Sequence, residues 1–198
     1  MPARGYAHRG GPIPKFREYH IWKTLWCLNQ EQPLGRKMIS ARLNIGEGSA
    51  RTIISILLEL GLIMVRKNGV MLSPKGKALW DDLKIEVAPI DDNSITIARC
   101  NCAVKVPGMS VRISDGTNER DIAIKAGAAG ATTLIAEKGT LLFPKSNYPV
   151  SSRMQNLLRS KFEIEDGDVI IIGTAESDEL AEEGAVSVAL ELVDGLNI

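Results

Sequence analysis

"GEGSARTIISILLELGLI", residues 46–63, opens on two glycines and closes in a nearly unbroken apolar run. At the ~100° step of an α-helix, Ala50, Ile53, Ile54, Leu57, Leu58 and Leu60 share one broad arc. Arg51, Thr52, Ser55 and Glu59 share the opposite one. The pattern predicts a helix with one deeply buried side and one free side, whose hydrogen-bonding groups crowd into the first turns beside Gly48 and Ser49. Ile56 is the apolar residue on the wrong arc and a candidate contact for a second copy of the chain. Gly61, tolerant of left-handed dihedrals, is expected to end the helix, with a strand following from Leu62 to Val65.

Working back from this stretch, Phe16, Tyr19, Trp22, Leu25 and Trp26 recur at three- and four-residue steps and predict an earlier helix with a heavy aromatic face. That face is expected to serve as core or as dimer surface. Pro33 breaks the chain, and "GRKMISARLNIG", residues 35–46, predicts a short second helix with Met38, Ile39 and Leu43 inward. Working forward, "LIMVRKNGVMLS", residues 62–73, is two apolar runs joined by Asn68-Gly69, a dipeptide suited to a tight hairpin. Ser73 and Pro74 fit the cap and first position of a return helix that turns Ala78, Leu79 and Leu83 inward.

Net charge is zero over 198 residues, but the halves are unequal. Residues 1–84 carry 14 Lys+Arg against 6 Asp+Glu, a surplus of +8; residues 85–198 carry 10 against 18, a deficit of −8. An anionic partner is expected for the first half alone. Residues 1–15, rich in Gly and Pro, read as a flexible basic arm carrying Arg4 and Arg9. Three cysteines, Cys27, Cys100 and Cys102, are too few for a disulfide framework. With neither a membrane span nor a signal peptide legible, a soluble cytoplasmic protein is expected.

The segment from Phe16 to Trp80 resembles the winged helix-turn-helix DNA-binding domains of prokaryotic transcription regulators, above all in "LNIGEGSARTIISILLELGLI" and the following "LSPKGKALW". The resemblance implies that the third helix enters the major groove of duplex DNA while the hairpin touches the backbone or minor groove. Arg51 is then the candidate for a bidentate contact to guanine, with Ser49, Thr52 and Ser55 as adaptable partners. Arg36 and Lys37, and Arg66, Lys67 and Asn68 at the hairpin tip, are candidate phosphate contacts. A homodimer would set two such helices in successive grooves.

The second half reads differently. Residues 84–94, with Pro89 and "IDDNS", look like an exit and linker, which divides the chain into residues 16–88 and 89–198. "SITIARCNCAVKV", residues 94–106, predicts a long strand with Cys100 and Cys102 on one face as core thiols. Thr117 is expected to cap a helix over "NERDIAIKAGA" with Ile122, Ala123 and Ala126 inward. Strands "ATTLIAE" and "TLLFP" follow, joined by Lys138-Gly139. Ser151 and Ser152 are expected to cap a helix with Met154, Leu157 and Leu158, and "GDVIIIGTA" is apolar enough for the middle of a sheet. The last segment, Ser177 to about Val193, reads as an acidic amphipathic helix, although "AVSVALELV" alternates enough for a strand. The class is α+β, a winged helix followed by a β-α-β-β-α-β-α domain of split-βαβ type.

No phosphate loop or nucleophile elbow is present in the second half. No enzyme activity, cofactor or metal is expected. Arg112, Asp115, Arg120 and Arg153, near helix starts, are candidates for a small anionic effector. The run "ERDIAIKAGAAGATTLIAEKGTLLFP" looks like the second domain found behind winged helices in archaeal proteins of undetermined activity. It implies an archaeal regulator and supplies no site. Two alternatives stay open: an enzyme fused to a winged helix, such as a CTP-dependent riboflavin kinase, which would need a β-barrel, and a winged helix that binds protein.

Overall fold

The apolar steps read above fold into three helices, α1 (Glu18–Gln30), α2 (Arg36–Arg42) and α3 (Glu47–Glu59), then a hairpin of β1 (Ile63–Arg66) and β2 (Gly69–Leu72), then α4 (Pro74–Leu83). The computed structural model describes residues 16–146 and 148–196, so the expected arm with Arg4 and Arg9 lies outside the described residues. By its internal contacts the chain forms two units, one ending at Leu83 and joined by Leu196, the other spanning Lys84–Gly195.

In the first unit the aromatic side of α1 is core. Trp22 is fully buried against Trp80 of α4, ring centroids 5.8 Å apart, and Tyr19 stacks beside it. Little of that face is left for a dimer. α3 buries a narrower stripe than expected, Ala50, Ile53 and Leu57, while Leu58 is exposed and Ile54, Ile56 and Leu60 are half-buried. The reason is geometric: α2 and β1 together cover one line of α3, so only residues stepping by three and four along that line are enclosed. Met38 is likewise exposed, not inward.

The hairpin turn is Lys67-Asn68, since Arg66 pairs with Gly69, which corrects the expected Asn68-Gly69 turn. Gly69 is needed for another purpose. Leu34 adds a third strand position by exchanging backbone hydrogen bonds with Val70 (2.9 Å each way), and a Cβ on Gly69 would lie 2.7 Å from the Leu34 carbonyl oxygen. Ser73 does cap α4: its Oγ accepts from the Gly76 N–H (3.0 Å) and donates to the Gly61 carbonyl (2.6 Å). That brings α4 so near the strand entry that a Cβ on Gly76 would fall 1.9 Å from the Leu62 oxygen.

The second unit begins with a strand absent from the reading of the sequence. β3 (Glu86–Ile90) pairs antiparallel with β4 (Cys100–Val106), so the boundary drawn at residue 88 falls inside a strand and the division lies at Leu83 and Lys84. Pro89 is tolerated because β3 is an edge strand. The strand expected from Ser94 starts only at Cys100, because residues 91–99 leave the ladder as a loop. α5 (Thr117–Ala126), β5 (Gly130–Glu137), β6 (Thr140–Leu142), α6 (Ser152–Lys161), β7 (Val169–Ala175) and α7 (Asp178–Leu192) complete the order.

All pairs in the sheet, ordered β3-β4-β7-β5-β6, are antiparallel. β4 and β5 therefore run parallel with β7 between them and are linked through α5, a split βαβ; β6, α6 and β7 make a second one around β5. α6 covers one face with Met154 and Leu158 against Leu134, Ile170 and Ile172. The other face receives α7, with Ala181 against Cys102 and Ala175, and α5 beside it. Covered on both faces, β7 is buried at every residue, which is why its sequence does not alternate.

Gly116, not Thr117, occupies the cap of α5, and Glu119 is buried where Ile122 is only half so. The last segment is a helix capped by Ser177, and it buries far more than one stripe, including Gly184, Ala185, Val186, Val188 and Ala189. Small residues let it settle onto the sheet. A Cβ on Gly173 of β7 would stand 2.2 Å from the Ala181 oxygen.

Adding a methyl at these closed positions should cost heavily. Gly76→Ala and Gly173→Ala are each expected to lose about 3 kcal/mol, whereas Gly48→Ala, in open space on α3, should gain up to about 0.5 kcal/mol. Urea titration checks this, with fluorescence of Trp22, Trp26 and Trp80 reporting the first unit and circular dichroism reporting both.

His20 supplies a pH test of the first unit. Its Nδ1 accepts from the Arg17 backbone N–H (3.1 Å), and burial, then the Arg17 charge, lowers its pKa from 6.5. The unfolded chain thus takes the proton first. Stability present above 6.5 is expected to fall as pH drops through the lower folded value, and His20→Gln should remove that part of the slope.

Candidate nucleic-acid interface and a polar hollow

α3 presents its free arc because its other side is core. Arg51, Thr52, Ser55 and Glu59 are exposed and Ser49 is half-buried. The Thr52 hydroxyl donates to the Gly48 carbonyl (3.1 Å), which leaves its oxygen able to accept. Gly46 caps the helix without a side-chain hydrogen bond, so the first-turn N–H groups have no side-chain acceptor there.

The cations around this arc differ. Arg36, at the start of α2, reaches Glu47 at the start of α3 (3.4 Å), so part of its charge is spent inside the unit. Lys37, Arg51, Arg66 and Lys67 are exposed and have no ion-pair partner among the described residues. Arg66 ends β1, and Lys67 and Asn68 form the turn, so the hairpin tip carries two adjacent free cations.

The four effector candidates of the second unit are not brought together. Arg112 makes a bidentate pair with Asp194 (2.8 and 2.9 Å) and donates to the Leu192 carbonyl, so it clamps the end of α7; Asp194 raises its pKa. Asp115 accepts from the Thr117 N–H (3.0 Å) and faces Lys145 (3.5 Å), and these partners, Thr117 first, hold its carboxyl below the usual value. Arg120 pairs with its neighbour Asp121. These three have structural occupations.

Arg153 is different. In the first turn of α6 it lines a polar hollow of about 220 Å³ with Asp91 to Ser94, Arg99 and Asn101. Asp92, its side chain 4 % exposed, meets Arg153 Nε at 3.0 Å and accepts from the Ser94 N–H at 2.8 Å. Those groups, Ser94 before Arg153, depress its pKa from 3.8. The loop is pinned to the sheet by Thr132 donating to the Ile95 carbonyl (2.7 Å) and by the Ala98 N–H donating to Thr174 (3.0 Å). Reading "IDDNS" as a linker missed this. The available signal was the Asp-Asp-Asn-Ser run itself, whose Asp92-to-Ser94 bond is an Asx turn.

Cys100 and Cys102 line the α7 face of β4, packed with Ala175 and Ala181. Burial, then Asp178, raises the Cys100 thiol pKa. Lys105 is buried and held by Glu86 on the adjacent strand and by the Glu163 carbonyl (2.7 Å).

A winged helix followed by a split-βαβ domain defines a two-domain α+β protein. Residues 21–78 match a family model described as the PH0730-like N-terminal domain, and residues 97–192 match a domain of unknown function, DUF4443. The chain is similar in structure to the hypothetical protein PH0730 from Pyrococcus horikoshii OT3, with 31% identity, a TM-score of 0.74, and coverage of 91% of this chain and 94% of that one. The protein belongs to this PH0730-like family. No curated protein matches it. Among the described residues no helix is long and apolar enough to cross a membrane.

The Asp92 pair gives an acid-side test. With its folded pKa depressed, Asp92 contributes stability above 3.8 that is lost as pH falls through the lower folded value. Asp92→Asn should cost about 1 kcal/mol at neutral pH, and the difference from the parent should close on acidification in melts of the two proteins.

Proposed function

We propose that the protein is a transcription regulator whose winged helix reads duplex DNA and whose second domain senses a ligand, dimerises, or does both, without catalysis. The observation that carries this reading is the exposed arc of Arg51, Thr52 and Ser55 on α3. Lys37, Arg66 and Lys67, exposed and without an ion-pair partner among the described residues, lie on the same unit. Arg51 supplies the bidentate fork for guanine, the hydroxyls adapt to neighbouring bases, and the hairpin tip follows phosphate. The uncapped first turn of α3 favours a phosphate as well.

A single arginine on the reading arc gives each copy few base contacts. Two copies on a two-fold site would double them, with helices about 34 Å apart. The acidic second half keeps its own surface off the polyanion. The riboflavin kinase alternative calls for a closed barrel, and the second unit has an open five-stranded sheet with edges at β3 and β6.

Fluorescence anisotropy on duplexes selected from a random pool tests the reading. Affinity should fall steeply with salt between about 50 and 200 mM. Arg51→Ala should cost about tenfold in discrimination between selected and random duplexes. Lys67→Ala should weaken all duplexes evenly and reduce the salt slope by about one. Binding without a salt slope would overturn the DNA reading. Sedimentation should find two chains per selected duplex; one chain at saturation would remove the two-fold part.

A further inference from the structure

Asn101 is 4 % exposed and lines the hollow beneath the 91–99 loop, yet its buried Oδ1 accepts no hydrogen bond. Its amide nitrogen donates at 3.5 Å to the Asp92 carbonyl, so exchanging the amide oxygen and nitrogen would only bring two acceptors together. An unmet buried acceptor costs free energy, and a donor entering the hollow would remove that cost. The hollow therefore asks for an N–H or O–H group at its base.

Its charges are balanced. Asp91 and Asp92 stand against Arg99 and Arg153. Asp91 is exposed and has no partner among the described residues. Arg153 spends only Nε on Asp92, and its two terminal NH2 groups have no partner among the described residues, in the first turn of a helix where an anion is also favoured. Arg99 gives Nε and one terminal nitrogen to the Glu176 carbonyl, with the Glu176 carboxylate 3.5 Å from its Nε, so Arg153 is the cation of the hollow with more to give a ligand. A purely anionic ligand would face two carboxylates and a bare acceptor; a purely cationic one would face two guanidinium groups. Among the described residues no aromatic ring lines the walls, so they offer a nucleobase or flavin nothing to stack on. A volume of about 220 Å³ holds only a small molecule.

We infer that this hollow is a binding site for a free α-amino acid, its ammonium toward Asn101 Oδ1 and Asp91 and its carboxylate toward the guanidinium of Arg153. The ligand is zwitterionic, in place of the small anion expected from sequence. The inference rests on the regulator reading only in making this molecule the sensed signal; binding itself needs no DNA.

The test is calorimetric titration of the full-length protein, without DNA, with each standard free L-amino acid, and then with the N-acetyl and methyl ester derivatives of the best binder. One-site saturation is expected, weakened roughly tenfold or more by either derivative. Asp91→Asn, at an exposed position, should weaken binding by about tenfold without lowering the ligand-free melting temperature, and Arg153→Gln should weaken it by about tenfold beyond the small loss of melting temperature that follows from giving up the Asp92 pair. No saturation with any free amino acid up to about ten millimolar, equal binding of the blocked derivatives, or unchanged affinity in both variants would overturn the assignment. Because DNA is absent, failure here leaves the DNA reading standing, and failure of DNA binding leaves this one intact.

Discussion

Both units depend on places where one stretch of backbone rests directly on another with no side chain between. At Gly76 the return helix meets the carbonyl of Leu62, and at Gly173 the central strand meets the carbonyl of Ala181. Protein interiors are filled to crystal-like density, so such contacts set the distance between elements and every neighbouring side chain must agree with them. In the first unit the contact ties α4 to the entry of the hairpin, which fixes the wing relative to α3. In the second it seats α7 on β7, and α7 then closes one face of the sheet. Small residues along α7 are the consequence of that seat.

The two units divide the electrostatic work. The first leaves part of its positive charge outward: Arg36, Arg42 and Lys77 have carboxylate partners, while Lys37, Arg51, Arg66 and Lys67 are exposed without one among the described residues. The second uses arginine chiefly as a fastener. Arg112 locks the end of α7 and Arg120 pairs locally; of the four proposed from sequence, Arg153 is the one that lines the polar hollow, with both terminal nitrogens outside its pair with Asp92. A guanidinium with unused N–H groups beside a buried acceptor without a donor is an arrangement the fold itself does not need. That surplus hydrogen-bonding capacity is why the hollow reads as a place for a ligand and the clamp at Arg112 does not.

Where periodicity was strong and local, the sequence was a faithful guide. The helices at 18–30, 47–59 and 152–161, the caps at Ser73 and Ser151, the Lys138-Gly139 turn and the uninterrupted burial of β7 follow from side-chain spacing and backbone preference within a few residues. Expectations failed where the deciding partner is distant. β3 carries a proline, which argues against a strand, and it exists because β4 offers it an edge. Gly69 suggested a turn, but it is spared a side chain to admit Leu34, 35 positions earlier in the chain. Leu58 and Met38, apolar and on the inward arc by spacing, stay exposed because no element among the described residues covers them.

Read alone, then, the chain specified most of its helices and strands, the charge division between its halves and the free arc of α3, since these depend on composition and on neighbours within a turn or two. Only the folded molecule decided the strand order, the width of each buried stripe and the meeting of "IDDNS" with Asn101 and Arg153, nine and some sixty positions further along. The physical reason is that hydrogen-bond pairing between strands and the packing of one element on another act through space. Residue spacing along a helix or strand carries no record of what arrives from elsewhere in the chain.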